Sequence, residues 1–282
     1  MTTSDKIYIE GVEYTREELD RYCNELLNPT NPVVETKPTF SVGKGLQFVK
    51  DENLYKEIIK YLDKTFPNSK EVLSGKLKFE DNVMKGSNPC IATAVDMFLK
   101  SINSKLRIAT QRDLETNLEM FGDFYEDTGL VLRTKQEPNP YLAENLFNQF
   151  KTQGKNIKEN SAYVLEFRNL FLKEDSNSPL GLSFILPSLY SNYFEAPILN
   201  ELSQQKFESS DIERKTGLPK KVSSAGTRIL YTRNWKDYSI KNSGLVRLYL
   251  YWNLDLNSSD KSLSISNDYG RVVLVSSEGG AF

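Results

Sequence analysis

The sequence predicts an α+β fold: a helical N-terminal half, then an antiparallel β-meander in the C-terminal part. Three observations carry that expectation. Apolar residues recur at helical spacing in several segments before Lys155. Leu245 to Leu256 alternates with period two, as a strand does. Turn clusters at Asn257-Ser258-Ser259-Asp260 and Asn267-Asp268-Tyr269-Gly270 separate short β-rich runs. Helices that precede strands, instead of alternating with them, favour α+β over a parallel α/β sheet. The corresponding regions are 1–155, mainly helical, and 156–282, mainly antiparallel β, either as two units or as one continuous domain.

Lys6 to Tyr14 reads as a hairpin turning at Glu10-Gly11. Thr15-Arg-Glu-Glu18 is a capping box that opens a helix to Leu27, stopped by Asn28-Pro29. Asn28 to Gly45 is a Pro- and Gly-rich loop. Its Val42-Gly-Lys-Gly45 lacks the spacing and the Lys-Ser/Thr end of a phosphate loop. Asp51 to Phe66 carries Leu54, Ile58, Leu62 and Phe66 along one helical stripe. Asn88-Pro89-Cys90 opens a helix to Ile102, and Gln111 to Phe124 reads as another. Gly129 to Arg133 is a strand. A helix over Tyr141–Gln153 lies between Asn139-Pro140 and Gly154, by the asymmetry of Pro before and Gly after. Ala162 to Lys173 admits strand and helix alike. Leu182 to Leu186 is a strand, followed by a short helix near Pro197 to Gln205.

The meander comprises Arg228–Thr232, Leu245–Leu256, a strand holding Leu263 and Ile265, and Arg271–Val275. In its longest member, Val246, Leu248, Leu250, Trp252, Leu254 and Leu256 form the expected buried face. Leu245, Arg247, Tyr249, Tyr251, Asn253 and Asp255 form the expected wet one.

The 282 residues are 39% hydrophobic and 26% charged, an ordinary composition for a globular chain. No apolar run approaches the roughly 18 residues of a membrane helix. The opening MTTSDKIYIEG lacks a basic segment followed by an apolar one, so the expected location is the cytoplasm. There is no histidine. That excludes Ser-His-Asp and Cys-His catalysis and histidine-based zinc sites. The two cysteines, Cys23 and Cys90, are too few for an all-thiolate zinc site and read as core thiols.

Two groups of residues are candidates for chemistry. Asp123, Glu126 and Asp127 form an acidic cluster able to hold Mg²⁺ or Ca²⁺, with Arg133 nearby to clamp an anion. Such runs are also ordinary solvated surface. The second group is electrostatic. From Arg214 to Arg247, nine basic residues stand against one acid, Asp237. Such a segment attracts polyanions. Lys215, Lys220, Lys221, Ser223, Ser224, Arg228, Arg233 and Arg247, interleaved with Trp235, Tyr249 and Tyr251, suit a nucleic acid whose backbone meets cations and whose bases meet rings. The bland alternative is a basic loop paired with the acidic remainder of the chain.

The expected function is therefore binding of a polyanion, nucleic acid first. The alternatives are a histidine-free, metal-dependent enzyme acting on a phosphorylated substrate, and a structural subunit. In the last, the tyrosine-rich surface, or Phe282 at the chain end, meets a protein partner or a second copy. No organic cofactor and no membrane is expected.

Overall fold

The computed structural model describes residues 6–9, 12–27, 45–120, 122–200, 204–232 and 244–276. Expectations placed on the loop at 28–44, with Val42 to Lys44, and on Arg233, Trp235, Lys236, Lys241 and Phe282 lie outside these residues.

Local sequence sets the helix starts. β1 (Lys6–Ile9) and β2 (Val12–Thr15) form a hairpin with Lys6 opposite Thr15. α1 (Arg16–Leu27) follows under its capping box. The Glu18 N–H donates to Thr15 Oγ1 at 3.2 Å, and the Thr15 N–H to the Glu18 carboxylate at 2.7 Å. After β3 (Leu46–Phe48), α2 (Glu52–Thr65) is capped by Asp51, which accepts from Asn53 and Leu54 N–H at 2.8 and 3.2 Å. β4 (Lys78–Glu80) and β5 (Val83–Lys85) make a second hairpin. α3 (Pro89–Ser101) starts from an Asn88 cap with proline in its first turn, and is buried from Pro89 through Leu99. β6 (Leu106–Ile108) and α4 (Gln111–Glu115) lead to β7 (Tyr125–Leu132), and α5 (Pro140–Thr152) follows.

The remaining strands are β8 (Tyr163–Glu166), β9 (Phe171–Glu174), β10 (Leu182–Ile185), β11 (Tyr193–Glu195), β12 (Gln204–Phe207), β13 (Arg228–Tyr231), β14 (Leu245–Leu250), β15 (Leu256–Asn257), β16 (Gly270–Arg271) and β17 (Val273–Ser276). A curled, eight-stranded sheet dominates, in the order β11-β8-β7-β14-β15-β13-β12, with β16 beside β7.

The expected segregation is corrected. The first half is not helical: seven strands, β1 to β7, interleave with α1 to α4 before Arg133. Helical geometry also recurs later, as 3₁₀ turns at Pro197–Asn200 and Ser209–Asp211. The helix expected over Gln111–Phe124 ends at Glu115. Thr116 Oγ1 and Asn117 Nδ2 both donate to the Asp113 carbonyl, at 2.8 and 3.0 Å, and so take an acceptor that another helical turn would use.

The meander is corrected too. β14 lies beside β7, from the other half of the chain, with Leu245 opposite Leu132 and Leu250 opposite Glu126. β13 joins β15 in parallel, and β16 joins β7 in parallel. Leu263 and Ser264 form a turn, and Ile265 lies in no strand. β17 leaves the main sheet for a three-stranded one with β3 and β6. Period-two alternation reports that a segment is a strand; it carries no information about which strand it pairs with.

Both faces of the central strands are covered. Leu130, Leu132, Leu165 and Leu245 pack into a core with α3 and α5, whereas Val131, Val164, Val246, Leu248 and Leu250 pack into a second core with Phe207, Leu218 and Leu230. Each such side chain, fully buried, contributes about 1.5–3 kcal/mol. β14 accordingly has no wet face: all six of its residues are buried. Among the described residues, no helix is long and apolar enough to cross a membrane.

Candidate functional site

One of the residues expected to hold a metal, Asp127, and two expected to meet an anion, Arg247 and Tyr249, join in the interior. Arg247 is only 3% exposed. Its Nε donates to Asp127 Oδ1 at 2.7 Å, and its Nη2 to Oδ2 at 2.6 Å. The guanidinium packs against the rings of both Tyr125 and Tyr249, 5.2 and 4.8 Å from their centroids. Ser87 Oγ donates to Asp127 at 2.8 Å, completing its shell. A bulge makes this meeting possible. The register slips between Leu248 and Tyr249, so that Tyr249 sits opposite Asp127 and the carboxylate is turned onto the face of Arg247. Burial disfavours the arginine's charge, but Asp127 more than offsets this and the net shift is upward.

Glu126 points elsewhere. Its Oε1 accepts the Val273 N–H at 3.1 Å, while its buried Oε2 has no hydrogen-bond partner. Burial pushes this carboxyl well above the usual carboxylate range. Asp123 is exposed. The acidic trio is thus split between solvent, an arginine and an apolar seam. Among the described residues no three Asp, Glu or Cys side chains are placed to share a metal ion. Arg133 is buried, with Nε and Nη2 donating to the Leu199 carbonyl at 3.1 and 2.9 Å, and so clamps backbone. Cys90 is buried, and burial pushes its thiol up to about 12, far from a nucleophile's range.

The basic loop divides differently. Arg228 is buried; its two Nη atoms meet the Glu115 carboxylate at 2.8 and 2.7 Å, and its face covers the Phe207 ring. Tyr249 is buried, whereas Tyr251 is partly exposed, its ring 5.3 Å from that of Tyr249. Lys215, Lys220, Lys221, Ser223 and Ser224 are exposed, as is Arg214. Among the described residues Arg214, Lys215 and Lys220 have no ion-pair partner. Lys221 lies 3.4 Å from Asp211 with its side chain 74% exposed, an arrangement that holds it weakly.

These cations stand on a fixed backbone. Ile212 bridges Pro219, the Glu213 N–H donates to the Leu218 carbonyl at 2.8 Å, and the Lys220 N–H to the Asp211 carbonyl at 2.9 Å. The Ser223 N–H donates to the Lys206 carbonyl at 2.6 Å. Leu218 is buried in the second core. Gly217, at φ +73°, lies so close to α4 that a Cβ would stand 2.5 Å from the Arg112 nitrogen. Gly226 abuts the Phe207 backbone in the same way. A groove of about 410 Å³ runs beside Lys220, floored by Ala196, Pro197, Ile198 and Leu218 and edged by Glu195 and Glu213.

Besides Arg247 and Tyr249, sequence reasoning misplaced Trp252. Alternation put it on the buried face; it is 55% exposed. The strand stops at Leu250, and Tyr251 to Asp255 forms a turn. The Leu254 N–H donates to the Tyr251 carbonyl at 2.9 Å, and the Tyr251 N–H to the Asp255 carbonyl at 2.8 Å. Asn253 and Asp255, both turn formers, were the signal that the alternation should end. This turn is tied to the basic loop. Arg228 Nε donates to the Leu254 carbonyl at 2.7 Å, and the Ile229 N–H to Asp255 Oδ1 at 2.6 Å. The start of β13, where the loop ends, therefore sits against the turn that carries Trp252.

The chain matches no protein family, and neither the curated proteins nor the solved structures yield a match.

Proposed function

We propose that this protein binds a polyanion through the loop Arg214–Ser224. What supports the reading is one arrangement: Lys215, Lys220 and Lys221 stand exposed on a loop whose backbone is pinned by Leu218, Gly217 and Gly226. A loop already fixed loses little conformational freedom when it binds, so its cations act at low entropic cost. Ser223 and Ser224 add hydroxyl donors for phosphate or sulfate oxygens. Arg228 and Arg247 serve this face indirectly, as internal ties. Catalysis has less support: the acidic trio is split, with Asp127 paired to Arg247 and Glu126 turned to the Val273 N–H.

The test is the affinity for a fluorescent anionic oligomer measured across salt concentration. Binding through three lysines gives a slope of log affinity against log salt of about −2 for a single strand. Absence of binding at about 50 mM salt ends the proposal.

A further inference from the structure

The geometry points to a base-stacking subsite at Trp252, with single-stranded nucleic acid as the polyanion; this rests on the polyanion reading above. Trp252 is a large aromatic side chain, 55% exposed, on a rigid mount. Among the described residues its ring meets no other ring and no cation. The turn beneath it is over-determined. Besides the two backbone bonds that close it, Asn253 Nδ2 donates to Asp255 Oδ2 at 2.7 Å, and the Asp255 N–H donates to Asn253 Oδ1 at 3.1 Å. Leu254 is held at φ +67°, a left-handed conformation that a leucine adopts only under constraint. Arg228, gripping Glu115 with one side of its guanidinium, supplies that constraint by donating to the Leu254 carbonyl. Strain retained in a turn that projects an indole into solvent accords with a binding site, where such strain concentrates.

The topology brings the end of the basic loop to the turn that carries this indole. β14 ends and β7 begins at the same end of the sheet, because Leu250 pairs with Glu126. β15 starts there, and β13 enters it in parallel at the same level, Leu230 beside Leu256. The loop bearing Lys220, Lys221, Ser223 and Ser224 runs directly into β13. Tyr269, also exposed, precedes β16 at that end, where Gly270 lies opposite Tyr125. Ser223 and Ser224, tied to the start of β13 through the Ser223 N–H to Lys206 bond opposite Ile229, and the outward-facing rings at that end of the sheet match a strand whose phosphates meet the first and whose bases meet the second. A duplex keeps its base faces within its own stack, whereas an unpaired strand offers them. Sulfated polysaccharides carry the charge and have no base to stack. The charge complementarity of the neighbouring loop favours nucleic acid over an apolar protein partner.

The experiment compares wild type, Trp252→Ala and Trp252→Phe by fluorescence anisotropy. Three probes are used at about 50 mM salt: an oligothymidylate of about 12 nucleotides, a duplex of the same length, and heparin. The wild type is expected to prefer the single strand to the duplex. Trp252→Ala is expected to weaken oligothymidylate binding about 5- to 100-fold and leave heparin binding unchanged. Trp252→Phe, which keeps a π-face, is expected to retain most of the affinity. The exposed site leaves the melting temperature of all three chains alike. Stacking is overturned if Trp252→Ala binds oligothymidylate like the wild type, if it loses heparin and oligothymidylate equally, or if the duplex binds as tightly as the single strand. It is overturned equally if the wild type self-associates through Trp252 and the alanine variant is monomeric with unchanged oligothymidylate binding. In each of these cases a heparin-binding wild type leaves the polyanion reading standing. If the wild type binds none of the probes, both readings fall.

Discussion

Arg247 and Asp127 lie 120 residues apart in sequence and meet in two parallel hydrogen bonds of 2.6 and 2.7 Å at the centre of the sheet. Removing one partner leaves the other charged and buried. Asp127→Asn or Arg247→Met is therefore expected to cost about 3–5 kcal/mol in urea unfolding. The paired change Asp127→Leu with Arg247→Met removes both charges and should recover most of that loss. A single variant that unfolds like the wild type would show that the pair carries little of the stability.

Glu126 gives the fold a pH dependence of known sign. Its folded carboxyl is raised by burial, first of all, with Asp127 adding to the rise and the Val273 N–H, Arg247 and Arg271 pulling the other way. The unfolded chain releases this proton near the ordinary glutamate value, while the folded chain keeps it. The group therefore weakens folding progressively as pH rises above that ordinary value, by up to about 1.4 kcal/mol per pH unit, until the raised folded value is reached. Glu126→Gln keeps an acceptor for the Val273 N–H and has no proton to lose. It is expected to be more stable than wild type at pH 7 and about equal to it at pH 4. The measurement is the difference in unfolding free energy between the two chains across that range; a constant difference would contradict the assignment.

Much of this was legible in the sequence where the cause is local. The capping box at Thr15, the Asp51 cap, the Asn88-Pro89 start and the Gly154 stop each place a helix end within a residue or two, because the bonding partners are close neighbours. What failed was long-range. Arg247 on an alternating strand reads as a wet face; it is buried because Asp127, on a strand from the other half, turns to meet it through a bulge. The two-residue strands β15 and β16 have no pattern of their own to detect. The basic loop was legible from charge and composition. Its division into exposed lysines and a buried Arg228 was not, since that depends on Glu115 being at hand.

The mounting of the loop is testable apart from its charge. Gly226→Ala forces a Cβ into the Phe207 backbone, and Gly217→Ala adds a strained positive φ to a contact with Arg112. Each is expected to cost more than about 1 kcal/mol and to weaken polyanion binding without altering any charge. Calorimetry and anisotropy on the same samples check both effects. Full stability with full binding would mean that the loop is not held as described.

The cysteines offer a reading of the core. Cys23 and Cys90 are both buried, and burial pushes each thiol up to about 12. Neither is expected to react with a thiol reagent at pH 8 over minutes in the native state, and both should react once the chain is unfolded in guanidinium. Rapid native labelling of Cys90 would contradict its place in α3.

The most direct measurement is oligothymidylate binding by the triple variant Lys215→Glu, Lys220→Glu, Lys221→Glu beside wild type, at about 50 mM salt and then at higher salt. The expected result is an affinity lower by about 10-fold or more and a salt slope shallower by about 2, with an unchanged melting temperature. A variant that binds as tightly as the wild type, with the same slope, would contradict the assignment of this loop as the anion-binding face.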